Sequence, residues 1–295
     1  MKLLGINAGS KGGNTHILLA AAAEAASNAG HDVELVWLDG LVIPSGPDST
    51  EVDHAWWLWD KFVEADAWLI AAPIYIRTIP GRLKVIADRL MGPNADWPLI
   101  EEMLRRKAEG IPIEVPFRID ERVLRPRVAG FIAVGGALTP QWKTLALPAL
   151  HMLTHPMQVA IVDQQLVEGA GTSGSVLVLD GVVERSRLLG QRVVSQMGKA
   201  FDEVEYLGPE GLCPKCHLSV ISFEGDEVAC ATCGARGVLR EGRIAWTNTS
   251  PSILNMSERL EHFEEIQATA KQQRAQSAEI QSMLTQFPTD AYVTP

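Results

Sequence analysis

Two Cys-x-x-Cys pairs are the residues in this chain whose type and spacing point most clearly to chemistry. Cys213 and Cys216 form the first pair, Cys230 and Cys233 form the second, and thirteen residues separate the pairs. Each pair can place two thiolates on one ion, so together they predict a tetrahedral site of the zinc-ribbon kind. Because four thiolates leave Zn²⁺ no open position, we expect the ion to hold this segment in its fold rather than to react.

A glycine-rich segment near the start of the chain is the second candidate. It follows an apolar run and precedes an alanine-rich stretch, and it consists of Ser10, Lys11, Gly12, Gly13, Asn14 and Thr15. The first backbone N–H groups of a helix lack internal partners and lie at the positive end of its dipole, so this order predicts an anion site of phosphate size. This segment matches neither the Gly-x-Gly-x-x-Gly nor the Gly-Lys-Ser/Thr pattern, and an ordinary turn capped by Asn14 or Thr15 is the alternative.

The segments that must position this loop alternate between strand-like and helix-like patterns. After the opening run, the predicted strands are Asp32–Leu38, Ala67–Ala72, Val128–Val134 and Met157–Val162, and the predicted helices are 17–29, 52–65, 79–90, 141–154 and 182–201. Parallel neighbours need crossover connections, and right-handed crossovers place helices on both faces of a sheet. We therefore predict a doubly wound α/β sheet that binds its ligand beyond the carboxyl ends of the strands, where the glycine-rich loop lies.

The acidic composition argues against nucleic acid and anionic membranes as partners of the protein. The formal net charge is −10 and the isoelectric point is near 5.2. An acidic chain is a poor match for nucleic acid or an anionic membrane, because phosphate neutralisation needs clustered Lys and Arg. The sequence shows neither a secretory leader pattern nor an apolar run near the roughly 20 residues of a bilayer span, so we expect a cytoplasmic protein.

The chain divides by pattern into three parts. Residues 1–205 form the predicted sheet domain, 208–247 are rich in Gly, Pro and Cys and form the predicted zinc ribbon, and 255–287 form a predicted C-terminal helix. The polar middle of that helix suits packing of its two ends against the body or a second subunit. Within the first part, residues 91–127 interrupt the alternation; a substrate lid and a solvated surface segment are both open interpretations.

Three loops in the right order identify a family resemblance. The Gly-Ser-Lys-Gly-Gly-Asn-Thr loop at 9–15, the Pro-Ile-Tyr loop at 73–75 with the Pro-Gly-Arg-Leu-Lys helix start at 80–84, and Val-Gly-Gly-Ala at 134–137 each follow a predicted strand. With these motifs the chain resembles the NADPH-dependent FMN reductase family of flavodoxin-like proteins over roughly residues 1–200. The resemblance implies five parallel strands in the order 2-1-3-4-5.

The resemblance also implies which residues bind FMN. Ser10 to Thr15 would hold the phosphate, Gly135, Gly136 and Ala137 would contact the flavin ring, and the ribityl chain and ring edge would lie along Pro73, Ile74, Tyr75, Ile76 and Arg77. Two residues depart from the family pattern. Asn7 stands where the family has serine or threonine, and Lys11 where it often has proline.

The implied activity is that of an FMN-dependent NAD(P)H oxidoreductase. Electrons would pass through the flavin to a quinone, another flavin or a small aromatic acceptor, and no catalytic side chain is named because the flavin carries the chemistry. We expect a homodimer or homotetramer. A flavin-binding electron carrier or redox sensor and a scaffold that recruits a partner through its ribbon are the alternatives. Iron in place of zinc is a further alternative, although the cysteine spacing differs from the clustered cysteines of iron–sulfur flavoproteins.

Overall fold

The structure is a computed structural model that describes residues 1–46 and 52–287. Within these ranges a five-stranded parallel sheet forms the centre of the molecule, with strands β1 Lys2–Asn7, β2 Asp32–Trp37, β3 Ala67–Pro73, β4 Arg127–Val134 and β5 Val159–Val167. The strand order is β2-β1-β3-β4-β5, and every neighbouring pair is parallel. The predicted flavodoxin-like sheet and its order are therefore confirmed.

Helices cover both faces of this sheet. The helices of the sheet domain are α1 Asn14–Asn28, α2 Ala55–Glu64, α3 Gly81–Leu90, α4 Trp97–Ala108, α5 Ala146–Leu150 and α6 Val182–Gln196. On one face α1 and α6 pack so closely that a Cβ added at Gly190 would stand 1.8 Å from the Ala22 carbonyl oxygen. The other face packs against α2, α3 and α5. The apolar runs of β3 and β4 are buried along their length because both faces are covered.

Two predicted elements differ from those in the structure. The predicted helix 141–154 is reduced to α5, flanked by short 3₁₀ turns, because Pro148 has no N–H to continue a helix from the preceding turn. The strand predicted at Met157–Val162 instead starts at Val159 and runs on to Val167. The polar residues of this strand are buried and hydrogen-bonded. The Asp163 carboxylate, for example, accepts from Arg185 at 2.9 Å and from Arg192 at 3.0 Å.

The C-terminal third carries a second sheet and two helices. The antiparallel strands are β6 Ile221–Glu224, β7 Glu227–Cys230, β8 Arg236–Arg240 and β9 Arg243–Asn248. Where the sequence predicts one helix, the structure has α7 Met256–Ala275 and α8 Ser277–Leu284. Among the described helices, none combines the length and apolar character that a bilayer span requires.

Candidate functional site

A cavity of about 300 Å³ lies at the carboxyl edge of the parallel sheet. Loops that follow β1, β3, β4 and β5 line it, and this is the edge at which the sequence placed the ligand. The residues that contribute to its wall are Gly9, Ser10, Gly13, Asn14, Thr15, Pro73, Ile74, Tyr75, Val134, Gly135, Gly136, Ala170, Gly171, Thr172 and Ser173. The three loops recognised in the sequence therefore meet at one place.

The first turn of α1 faces this cavity without a side-chain cap. Gly13 is the N-cap residue, and no side chain of residues 1–46 or 52–287 accepts a hydrogen bond that caps the first turn. Asn14 and Thr15 therefore do not cap the helix, contrary to that part of the ordinary-turn alternative. Helix-start N–H groups without a capping acceptor remain available to an anion, which they attract through both hydrogen bonding and the helix dipole.

Asn7 fixes the shape of the glycine-rich loop. Its Oδ1 accepts from the Gly9 N–H at 3.1 Å and from the Thr15 hydroxyl at 2.8 Å, and its Nδ2 donates to the Ser10 carbonyl at 3.4 Å. The Asn7 side chain is buried. This departure from the family pattern thus ties β1, the loop and α1 together, which a single hydroxyl could do less completely.

Two glycines in this loop are required for different reasons. Gly12 has φ of +77°, a conformation that favours glycine. At Gly9 an added Cβ would stand 2.3 Å from Thr15 Oγ1. The Lys11 amine lies outside the cavity wall, 5.9 Å from the centre of the Trp37 ring, and the Trp37 Nε1–H donates to the Gly9 carbonyl at 2.9 Å.

A fourth loop, residues 170–173, closes the cavity and was missed by the sequence analysis. Asn14 joins it to α1: its Nδ2 donates to the Thr172 carbonyl at 2.8 Å and its Oδ1 accepts from the Val176 N–H at 3.3 Å. The signal was the run Gly-Ala-Gly-Thr-Ser-Gly at 169–174. Ending the fifth strand at Val162 placed that run too far from the sheet edge to be considered.

The loop after β3 holds a tight turn beside the cavity. Tyr75 and Thr78 exchange backbone hydrogen bonds of 2.9 and 3.1 Å, and the two residues between them, Ile76 and Arg77, have φ of 45° and 73°. Two adjacent left-handed residues other than glycine are strained. Arg77 and Ile76 do not line the cavity; the Arg77 Nε–H donates to the Gln141 carbonyl at 2.7 Å.

Relief of this strain gives a testable change in stability. Ile76 is 88% exposed, so Ile76→Gly removes little packing and should raise the free energy of unfolding by about 1 kcal/mol. Thermal and urea unfolding measure the change. Val178→Gly is the matched control, since Val178 is 82% exposed but does not have a positive φ. The control should lower stability, and a loss of stability in Ile76→Gly as well would show that the turn is not strained.

The loop after β4 supplies backbone rather than side chains. A Cβ added at Gly135 would meet the Ile74 side chain at 3.1 Å, and one added at Gly136 would meet the Gly171 Cα at 3.0 Å. Ala137 lies outside the cavity wall. Glycines at 135 and 136 thus let the loop after β4 lie close against the loops after β3 and β5, so that backbone forms this part of the cavity wall.

The four cysteines form one buried cluster in the C-terminal third. Their sulfur atoms all lie within 4.8 Å of one another, and the Cys213–Cys233 and Cys216–Cys230 sulfurs are 3.5 Å apart. Ligands at the usual Zn–S distance stand about 3.8 Å apart in a tetrahedron. Hydrogen bonding with Cys213 raises the pKa of Cys216 far above its usual value, as expected where thiols crowd together.

The cysteine cluster is joined to the parallel sheet. The Gln164 Nε2–H donates to the Cys216 carbonyl at 2.7 Å, and the Gln164 Oε1 lies 3.2 Å from His151 Nε2. The cysteines belong to the same buried apolar cluster as one face of the sheet. Burial lowers the pKa of His151 to about 4, so its ring is neutral at pH 7, and it packs edge-on against the Phe131 ring.

The five-stranded parallel sheet of order 2-1-3-4-5, with a loop-lined cavity at its carboxyl edge and an uncapped helix start facing it, defines a flavodoxin-like protein. The chain belongs to the NADPH-dependent FMN reductase family, whose sequence model matches residues 1–166. The family resemblance found in the sequence is therefore confirmed.

Relatives extend the similarity beyond the parallel sheet. A protein of Aspergillus candidus named flavone synthase cfoJ is 34% identical over 294 residues, which cover 90% of this chain and 89% of that protein. A solved structure named flavone reductase is similar over 100% of both chains, with a TM-score of 0.83 and 25% identity. An iron–sulfur flavoprotein of Archaeoglobus fulgidus is 26% identical over 62% of this chain and 81% of its own length.

Proposed function

We propose that this protein is an FMN-dependent NAD(P)H oxidoreductase that acts on flavone-type acceptors. The observation that carries the proposal is the cavity where the loops after β1, β3 and β4 meet the uncapped start of α1. Membership of the FMN reductase family supports FMN as the cofactor and a reduced nicotinamide as the electron donor. The names of two relatives, flavone synthase and flavone reductase, support a flavone as the electron acceptor.

The loop at 10–15 would bind the FMN phosphate. The N–H groups at the start of α1, including that of Thr15, and the hydroxyl of Ser10 are the donors, and the Lys11 ammonium adds positive charge at the rim. Gly12 and Gly13 allow the backbone to come close to the phosphate oxygens. Asn7 would act indirectly, by holding the loop in the shape that presents these donors.

The other loops would hold the remainder of the cofactor. Pro73, Ile74 and Tyr75 would lie along the ribityl chain and the ring edge, with Ile76 and Arg77 shaping the turn behind them. Gly135 and Gly136 would bring backbone against the ring, with Ala137 beside them. The support is that both glycines line the cavity with bare backbone, where a Cβ would press against Ile74 or Gly171. FMN bound here would accept a hydride from the nicotinamide and pass it to the acceptor.

Exposed apolar side chains next to the cavity match a flat aromatic acceptor. Tyr75, in the cavity wall, is 57% exposed, and Leu138 is 72% exposed. Leu138 lies against the loop after β5, because a Cβ at Gly169 would stand 3.3 Å from its Cδ2 atom. Such a rim would orient the ring system of a flavone over the open side of the site and exclude water from it.

The proposed reaction is the two-electron reduction of a flavone to a flavanone. The flavone carries a carbon–carbon double bond conjugated to its carbonyl group; a hydride from NAD(P)H and a proton from water add across it, and the products are the flavanone and NAD(P)⁺. The same residues would serve the reverse direction with an oxidant of quinone type. No side chain is assigned a proton, since the carbonyl-conjugated carbon can receive it from solvent.

The C-terminal parts have proposed roles of their own. We propose that Cys213, Cys216, Cys230 and Cys233 bind Zn²⁺ in a ribbon module of residues 208–247. Residues 1–205 would form the FMN domain, and the helical tail at 255–287 would support a homodimer or homotetramer. Light scattering would detect that assembly, and a monomer at working concentration would contradict it.

Product analysis tests the proposed acceptor. FMN-saturated protein incubated with NADPH or NADH and flavone should yield flavanone, heavier by two hydrogens, with one nicotinamide oxidised per flavanone formed. Chromatography with mass detection measures both. Turnover of quinones without flavanone would overturn the acceptor class but keep the oxidoreductase. A yellow protein inert with both nicotinamides would favour the alternative of a flavin-binding electron carrier. Failure to bind FMN would contradict every flavin-dependent function.

A further inference from the structure

A second cavity lies at the opposite edge of the parallel sheet from the FMN loops. It has a volume of about 260 Å³ and lies where α3 ends and just before β5 begins. Because the strands are parallel, this is the edge formed by their amino ends. The helix α7 and the start of α4 close it, and its polar wall is formed by Asp96, His155, Glu258, Arg259 and His262.

The guanidinium of Arg259 is buried in this wall without an acidic partner. Arg259 is 7% exposed, and no carboxylate among the described residues lies within 4.0 Å of it. It donates to the backbone carbonyls of Ile253, at 2.9 Å, and Met157, while Nη2 has no hydrogen-bond partner. Burial lowers the pKa of Arg259 to about 10, so the group stays charged at neutral pH.

Buried cations are normally paired, because the loss of hydration is costly. One acid of the cavity wall, Asp96, is already engaged as the N-cap of α4, where it accepts from the Leu99 N–H at 3.2 Å. The Phe201 ring, with its centre 5.4 Å from the Arg259 Cζ atom, faces the guanidinium but carries no charge. An anion in the cavity would supply the partner that Arg259 lacks.

We propose that this cavity binds the carboxylate of a small organic acid, with Arg259 as its main partner and His262 at the mouth. The rest of the wall supports an apolar body on that acid, since it consists of Met91, Pro98, Pro156 and Ile253. Asp96 and Glu258 line the same cavity and repel negative charge, so a monoanion is favoured over a phosphate dianion. This site is independent of the FMN cavity and of the proposed oxidoreductase function.

Calorimetric titration of the FMN-saturated protein tests the proposal. Saturating FMN occupies the anion site at the other edge of the sheet, and constant ionic strength removes bulk salt effects. Benzoate is the probe, with benzamide as its neutral counterpart and inorganic phosphate as the dianion. The expected result is one saturable benzoate site per chain and at least about tenfold weaker binding of benzamide and phosphate. Equal binding of benzamide, or no saturable benzoate binding, would overturn the proposal.

Charge-specific variants place the site in this cavity. Asp96→Asn keeps an N-cap residue but removes a negative charge, so benzoate should bind at least about threefold tighter. His262→Gln, at an exposed position, should bind it at least about threefold more weakly, and His31→Gln, outside the cavity, should match the wild type. Arg259→Gln should abolish binding, with circular dichroism as the check that this variant, which loses buried backbone contacts, is folded. Unchanged affinity in both Asp96→Asn and His262→Gln would place the site elsewhere and overturn the proposal.

Discussion

Replacement of Gly9 by alanine should weaken FMN binding at least about 100-fold while the protein stays folded. The added Cβ would stand 2.3 Å from Thr15 Oγ1. That hydroxyl cannot move aside freely, because it is buried and donates to Asn7 Oδ1 at 2.8 Å. Relief of the clash must therefore displace the loop or the first turn of α1, which are the groups proposed to hold the phosphate.

Flavin fluorescence titration measures the dissociation constant, and thermal unfolding of the apoprotein measures the cost in stability, which should be about 1–3 kcal/mol. Gly81→Ala is the matched control. Gly81 is the first residue of α3, an added Cβ there meets nothing within 4 Å, and its φ is not positive. If Gly9→Ala binds FMN as tightly as Gly81→Ala, the phosphate is not bound by this loop.

Removal of one cysteine ligand should destabilise the whole chain, not the ribbon alone. Cys230→Ser should lose the metal and lower the free energy of unfolding by more than about 4 kcal/mol, equivalent to roughly 6 °C or more in Tm for a chain of this length. The reason is the joint core: the cysteines share a buried cluster with one face of the parallel sheet, and Gln164 of β5 donates to the Cys216 carbonyl at 2.7 Å. An unfolded ribbon would expose the apolar face of the sheet to water and would break the Gln164 hydrogen bond.

Metal analysis of freshly purified protein and thermal unfolding check this result. The wild type should carry one zinc per chain, and Cys230→Ser should carry almost none. Ala231→Ser is the control, since it introduces the same residue type at an exposed position inside the same cysteine pair. Stoichiometric iron with a visible thiolate charge-transfer band would show that the site holds iron and not zinc. An unchanged Tm in Cys230→Ser would show that no metal supports the core.

The arrangement of the sheet was predictable because its strands carry simple patterns. The runs of β3 and β4 are apolar throughout, and a strand covered on both faces needs nothing else. The fifth strand was cut short in the prediction because Asp163, Gln164 and Gln165 are polar. They are nevertheless buried, and each is satisfied by a partner distant in sequence, such as Arg185 for Asp163. Single-sequence patterns do not reveal such partners.

The candidate site was predictable where loops directly follow recognised strands. The loops at 9–15, 73–75 and 134–136 meet as expected, because carboxyl ends of parallel strands share one edge. The fourth loop, at 170–173, was not predicted because the predicted fifth strand ended at Val162, several residues before β5 ends. The left-handed turn at Ile76 and Arg77 could not be foreseen either, because neither residue type favours that conformation and only the surrounding structure enforces it.

The tail helices show a similar limit. The spacing of apolar residues predicted one helix, but it does not reveal the break at Gln276 between α7 and α8. The contact that anchors α7 is also hidden from periodicity. It is made by a buried arginine, Arg259, whose side chain donates to the Ile253 and Met157 carbonyls. An arginine in a polar helix is ordinarily interpreted as a surface residue.

Anaerobic rapid mixing tests the central claim of an FMN-dependent NAD(P)H oxidoreductase most directly, because it separates the two halves of the reaction. FMN-loaded protein mixed with NADPH or NADH should lose its visible flavin band at least as fast as steady-state turnover. Subsequent mixing with flavone should restore the band, with one flavanone formed per flavin. A band that neither nicotinamide changes, or one that flavone fails to restore while a quinone does, would contradict the account.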